Sequence, residues 1–245
     1  MGDSRLIQFT QGQVKPWACL IEGWGLVRGR YWLFVGITAC GMLLGTVVPV
    51  ILFGAMMCGI YLCYLEQLRG DRVEFRRLFD GFQYFHSSLV ATALLMAVSL
   101  LVALPASLSL SGAVIMLPLF IDRGRLTLAF GLYLATIGVF VLIIMMVVII
   151  LGAFFLYTFP LIAEHGLSGS EAVRLGARAA RANLWGTVGV MAIQVLLGMV
   201  GVCLCYVGAF LVLPVTMGAV VAAYRKVFPV QAASGDASQP LPMRF

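Results

Sequence analysis

Long apolar runs alternate with short stretches where charge and aromatic residues gather. A bilayer core of roughly 30 Å needs about 20 helical residues, and that length sets how each run divides. The first run, 31–65, holds 35 residues with Gly45 and Pro49 near its middle, and so predicts two helices, at about 31–48 and 50–67. A third span follows at 87–108. Residues 110–121 are apolar but too short to cross, and they end in Asp122-Arg123-Gly124-Arg125, which predicts a segment lying on or dipping into the outer interface. The run 126–163 has 38 residues without a charge and crosses once, at 138–162, or twice. The last run, 185–224, spans 40 residues broken by Gly198, Gly201 and Gly208, and predicts helices at 185–200 and 206–224.

Charge decides between the two counts. Lys and Arg concentrate in cytoplasmic loops. Six spans put Arg5, Lys15, Arg28, Arg30, Arg69, Arg72, Arg76, Arg77, Arg174, Arg178, Arg181, Arg225, Lys226 and Arg244 inside, 14 in all, and leave only Arg123 and Arg125 outside. Seven spans divide them 8 to 8. Six is therefore the expectation, with both termini cytoplasmic and 109–137 as an outer segment. All four tryptophans then fall at the inner boundary, where amphipathic rings anchor well.

The composition agrees: 62% of 245 residues are hydrophobic, 11% are charged and mean hydropathy is +1.05, which excludes an ordinary soluble domain. The net charge of +6 is spread over these boundary clusters, which suits anionic headgroups rather than nucleic acid. Residues 1–15 are polar, so no cleavable signal peptide is expected and the first membrane helix acts as its own insertion signal. The predicted fold is all-α, a polytopic membrane helix bundle forming one domain over 1–228. Residues 229–245, rich in Ser, Ala, Gly, Gln and Pro, predict a disordered tail.

Each of the three hairpins is preceded by an amphipathic cytoplasmic lead-in. Trp17, Leu20 or Ile21, Trp24, Val27 and Tyr31 recur at three- and four-residue steps and predict one apolar helix face. Asp71 with Glu74 suggests a capping pair before Phe75, Leu78, Phe79 and Phe82. Ser168 to Glu171 forms a capping box, followed by Arg174, Arg178 and Arg181 on one face. Trp17, Trp24, Phe79, Phe82 and these three arginines are the expected inner-leaflet anchors. Pro49-Val50 leads to Gly54-Ala55 and Tyr61, as Pro214-Val215 leads to Gly218-Ala219 and Tyr224. A threefold internal repeat explains this, as does the general frequency of Pro, Gly and Tyr near helix ends.

Several short motifs carry a resemblance. They are Glu22-Gly23-Trp24, Phe79-Asp80-Gly81-Phe82, Pro160-Leu161-Ile162-Ala163-Glu164 with Glu171-Ala172, Arg181-Ala182-Asn183, and Ala223-Tyr224 with Phe228. Together they resemble a family of uncharacterised bacterial multi-pass membrane proteins, similar to the membrane domain fused to some glycerophosphoryl diester phosphodiesterases. The resemblance covers roughly 17–228 and implies a six-helix inner-membrane module of unknown activity, with no catalytic residues to carry over. The stretch 109–137 departs from the pattern.

Chemistry-bearing residues are few. His86 and His165 sit at the expected inner interface, and no HExxH, GxSxG or Walker pattern occurs. The six cysteines form no CxxC pair and have no zinc-ligand spacing, so they read as small packing residues, with a Cys203–Cys205 disulfide as the alternative. No metal, cofactor or nucleic-acid partner is expected. All 26 charged side chains are expected in loops or interfaces, which argues against an ion-coupled pump. Gln194, Ser99, Thr38, Thr92 and Tyr157 are the mid-helix polar groups, and Gln194 is the first candidate for a substrate contact. Gly41 and Gly45, Ala55 and Gly59, and Gly198 with Gly201 are expected to bring helices close, within one chain or between copies.

The leading expectation is a non-enzymatic accessory or structural subunit that binds membrane proteins or lipids. The alternative is a carrier or channel for small amphiphiles. An enzyme acting on lipids at the inner face would need Glu164 and His165 to converge with another acid.

Overall fold

A computed structural model describes residues 9–11, 14–48, 50–121, 126–203 and 207–229. Among them only helices occur: α1 (Pro16–Val27), a 3-10 turn (Arg28–Arg30), α2 (Tyr31–Val47), α3 (Leu52–Arg69), a 3-10 helix (Phe75–Tyr84), α4 (Phe85–Ile121), α5 (Leu126–Phe155), α6 (Thr158–His165), α7 (Gly169–Ala182), α8 (Leu184–Cys203) and α9 (Val207–Val227). Five stretches are long and apolar enough to cross a membrane: Pro16–Val47, Phe75–Pro105, Tyr133–His165, Leu184–Cys203 and Gly208–Val227. This is the make-up of a membrane protein. Helix α3 is not among the five, and it is largely enclosed, buried from Gly54 to Leu65 except at Leu62. A helix wrapped by protein meets its neighbours rather than lipid, and its Gly, Ala, Met and Cys positions serve close packing more than hydropathy.

Local chemistry sets the boundaries. Gly70 ends α3 at φ 85, with its N–H donated to the carbonyls of Gln67 and Glu66, a left-handed cap that glycine adopts without strain. The expected span 138–162 is divided, because α5 stops at Phe155 and α6 begins at Thr158. Pro160 explains the break: it has no N–H to offer the carbonyl of Leu156. The expected outer segment 109–137 is not a separate element, since the backbone is helical over Phe85–Ile121 and again over Leu126–Phe155. A helix satisfies its own backbone polar groups, which favours continuing it through an apolar stretch even across Pro105. Residues 122–125, and the tail beyond 229, lie outside the described residues. The expected single domain divides into two compact units, Leu94–Gly152 and the remaining elements.

All three lead-ins are helical, with differences. Helix α1 turns Cys19, Gly23 and Val27 inward and Trp17, Ile21 and Trp24 outward. Val27, grouped with the tryptophans from its spacing, thus faces the opposite way. The second lead-in is a 3-10 helix; Asp71 does not cap it, and the residue before it, Glu74, makes no side-chain cap bond. Leu78 and Gly81 face inward there while Phe75, Phe79 and Phe82 are exposed. Helix α7 buries Ala172, Leu175, Gly176, Ala179 and Ala180 and exposes its arginines, and Ser168 Oγ donates to Glu171 Oε2 at 2.7 Å.

The 3-10 helix lies on α3, α7 on α6, and α1 on α9, which joins the chain's first helix to its last. At two of these seams the contacts are between backbones. A Cβ at Gly23 would lie 2.7 Å from the carbonyl carbon of Gly218, one at Gly81 would lie 2.5 Å from the Gly59 nitrogen, and one at Gly59 would strike the Leu78 carbonyl. At Gly176 the approach is looser, 3.4 Å to Thr158 Oγ1. Within hairpins, Gly41 approaches Ile60 Cδ1 at 2.8 Å, Gly45 approaches the Phe53 Cα at 3.3 Å and Gly201 approaches the Ala209 Cα at 2.7 Å, measured in the same way. Ala55 is fully buried, its carbonyl facing Gly81. Gly198 differs, with nothing within 4 Å of the same point.

Overpacking of a tight contact costs about 1–3 kcal/mol. Gly59→Ala is therefore expected to lower the melting point of the detergent-solubilised protein and Gly198→Ala to leave it in place. A thiol-reactive dye reporting on the buried free cysteines Cys19, Cys58 and Cys63 measures both.

Candidate functional site

The polar side chains inside the bundle gather where α3, α6 and α9 end. Glu164, on the last turn of α6, is the centre: its Oε1 accepts a hydrogen bond from Arg69 Nη2 at 3.0 Å and lies 2.7 Å from Arg225 Nη2. The Glu164 side chain is only 9% exposed and that of Arg225 14%. The Tyr224 hydroxyl is enclosed beside the same carboxylate, and His165 Nε2 stands 4.0 Å from Oε2. One carboxylate thus faces two guanidinium groups, and Glu164 and Arg225 are largely buried in protein. Among the described residues the charged groups facing Glu164 are Arg69, Arg225 and the neighbouring His165.

Further ties extend the clasp to the N-terminal segment. Lys226 Nζ donates to Glu22 Oε1 at 2.8 Å, joining α9 to α1. Thr10 Oγ1 donates to the Lys226 carbonyl at 2.5 Å, the Thr10 N–H donates to the Val227 carbonyl at 2.8 Å, and Asn183 Nδ2 donates to the Thr10 carbonyl at 2.9 Å. The buried Tyr157 and Thr187 hydroxyls meet at 3.0 Å, linking the start of α6 to α8. Nearer the second lead-in, Arg77 donates to Glu66 Oε1 at 2.5 Å and to Asp80 Oδ2 at 2.6 Å, beside a polar depression of about 320 Å³ that Arg72, Glu74 and Arg76 also line.

Gln194 has a partner within the protein. Its Nε2 donates to the Thr216 carbonyl at 3.2 Å, bonding α8 to α9 beside an apolar cavity of about 200 Å³ that Gly198, Phe210 and Leu213 also line. Gly198 keeps that cavity open. Two tyrosines reach α9 around the interior Pro214: Tyr31 donates to the Leu211 carbonyl at 2.5 Å and Tyr64 to the Pro214 carbonyl at 3.1 Å. These bonds supply polar partners to a helix whose own ladder the proline interrupts.

The expected anchors point outward. Trp17, Trp24, Phe79 and Phe82 are exposed, as are Arg174, Arg178 and Arg181, and the Arg181 guanidinium lies 5.6 Å from the Phe154 ring centre. Cys203 is a free thiol, while Cys205 lies outside the described residues. Among the described residues no three His, Cys, Asp or Glu side chains gather as a metal site would require. The chain was compared with protein-family models, curated proteins and solved structures, and nothing matches.

Sequence reasoning missed Arg69, Arg225 and Lys226 as structural partners, noted Asn183 only as part of a motif, and missed Thr10 altogether. Their pairings join residues far apart in the chain, and no local pattern marks them.

Breaking one member of a buried ion pair costs about 3–5 kcal/mol, while an accessible pair is worth at most about 1. Glu164→Gln is therefore expected to destabilise the bundle by about 3 kcal/mol, and Glu22→Gln, whose pair with Lys226 is more open, by about 1 or less. Denaturant titration in detergent, followed by labelling of the buried cysteines, ranks the two.

Proposed function

We propose that this chain is a non-enzymatic integral membrane protein of the bacterial inner membrane, a structural or accessory subunit that binds other membrane proteins or lipids. Its six crossings form three hairpins and both termini lie in the cytoplasm. Helix α3 is the sixth crossing, packed against α2, α6 and α9.

What supports the topology is the clasp. Thr10, Glu22, Arg69, Glu164, Asn183 and Arg225 to Val227 are drawn together by direct bonds, which supports hairpins with ends at one side and so an even number of crossings. The likeness to the membrane domain found beside some phosphodiesterases agrees with such a module and brings no residue role with it.

The observation that carries the accessory role is how the interior polar groups are used. Glu164, Gln194, Asn183 and the Tyr157–Thr187 pair each join one helix to another. The outward surface is left for recognition: Leu101, Leu142 and Met146 within the 94–152 unit and Trp185, Leu196 and Val200 on α8 are all exposed. Surface this apolar is covered by lipid or by a partner.

A second reading, a carrier of small amphiphiles, draws on the cavity beside Gln194. Gln194→Leu separates the two: a carrier loses transport of an amphiphile across proteoliposomes, and an accessory subunit keeps its partner or lipid.

Two measurements test the proposal. A topology reporter fused after Arg125 is expected outside and one after Ala182 inside; the reverse overturns the six-crossing arrangement. Copurification in mild detergent is expected to retain a membrane protein or lipid, and a clean monomer with neither overturns the accessory role.

A further inference from the structure

Helix α7 carries a cationic stripe that the protein itself leaves unneutralised. Arg174, Arg178 and Arg181 recur at steps of four and three, which places them on one helix face about 10 Å long. All three are exposed, and among the described residues none forms an ion pair. Four acids elsewhere at this side are committed, Glu22 to Lys226, Glu66 and Asp80 to Arg77, and Glu164 to Arg69 and Arg225, and the exposed Asp71 and Glu74 form no ion pair with the stripe. The one acid on α7, Glu171, sits at the start of the stripe and accepts from Ser168.

The surroundings of the stripe point to its occupant. Arg181 is held over the Phe154 ring, which fixes its guanidinium at the end of the stripe. One residue after α7 the chain enters α8, where Leu184 and Trp185 are 41% and 89% exposed, followed along the helix by exposed Leu196, Met199 and Val200. A stripe of cations therefore adjoins an interfacial tryptophan and a long outward apolar face. Tryptophan belongs at headgroup level, and apolar helix faces belong against acyl chains. An acidic protein segment matches the arginines alone; a phospholipid with an anionic headgroup matches both the charge and the apolar continuation.

We infer that the outer face of α7 is a binding site for anionic phospholipid, its headgroup phosphate held by Arg178 and Arg181 with Arg174 alongside, and its acyl chains lying on α8 past Trp185. The inference rests on the cytoplasmic placement of α7 proposed above, where the leaflet supplies anionic lipid.

Native mass spectrometry of the full-length protein in mild detergent, titrated with phosphatidylglycerol or phosphatidylcholine, tests it. Each arginine near an anionic surface is worth roughly fivefold in affinity. The wild type is expected to prefer phosphatidylglycerol by at least about tenfold, and the triple variant Arg174→Gln, Arg178→Gln, Arg181→Gln to lose that preference while binding phosphatidylcholine as before. The matching triple lysine variant restores it, and Arg72→Gln with Arg76→Gln leaves it unchanged. Equal binding of both lipids by the wild type, or a preference that survives the triple glutamine variant, overturns the site. So does a triple glutamine variant that keeps its lipid preference and instead loses a copurifying protein. An α7 reporter found outside the cell defeats the topology and not the lipid preference, so the two failures are told apart.

Discussion

Where α1 meets α9 and where the 3-10 helix meets α3, backbone lies against backbone. The rest of the bundle depends on that close approach. Lipid gives helices no hydrophobic reason to associate, so dispersion between closely fitted surfaces and a few interhelical bonds must hold them. Gly23 against Gly218 and Gly59 against Gly81 supply the fit at two of the three seams. The third, at Gly176, is looser, and there the Tyr157–Thr187 bond ties α6 to α8. Because the last returning helix receives the first lead-in, the chain closes on itself.

The charged residues complete that closure. Glu164 interacts with Arg69 and Arg225, from helices that belong to two other hairpins, while Lys226 reaches Glu22 and Thr10 on the N-terminal side. Enclosed in protein, such pairs are screened little, and leaving one member alone is costly. The few acids at this side are therefore largely used in holding helices together. Among the described residues the arginines of α7 form no ion pair and point outward, so structural neutralisation inside and a cationic stripe outside lie side by side.

Much of the fold was legible because it follows from periodicity and length. Helices α2, α3, α8 and α9 lie within a few residues of their expected positions, and Trp17, Trp24, Phe79 and Phe82 are exposed. The errors have identifiable causes. The segment expected at 110–121 is helical and continuous with α4, because apolarity alone does not reveal where a helix stops. The span expected at 138–162 lies within the single apolar stretch Tyr133–His165, with a turn before Pro160 that hydropathy does not mark. Val27 was assigned to the tryptophan face because spacing cannot say which side of an apolar helix is met by another helix. Gly198 looked like a packing glycine and borders a cavity instead. The candidate site was least legible of all: Glu164 was visible as a residue, but its arginine partners lie 95 and 61 positions away and share no local signature with it.

Cross-linking across the seam that closes the ring is the most direct measurement. With the native cysteines replaced, Glu22→Cys and Lys226→Cys stand on the two helices that the 2.8 Å ion pair joins, and a bis-maleimide spans the reach of the two side chains that the cysteines replace. Treatment of intact membranes is expected to join them within one monomer, yielding a product of altered mobility on denaturing gels. If no intramolecular cross-link forms in folded protein, or only dimers appear, α1 does not pack on α9 and the account is wrong.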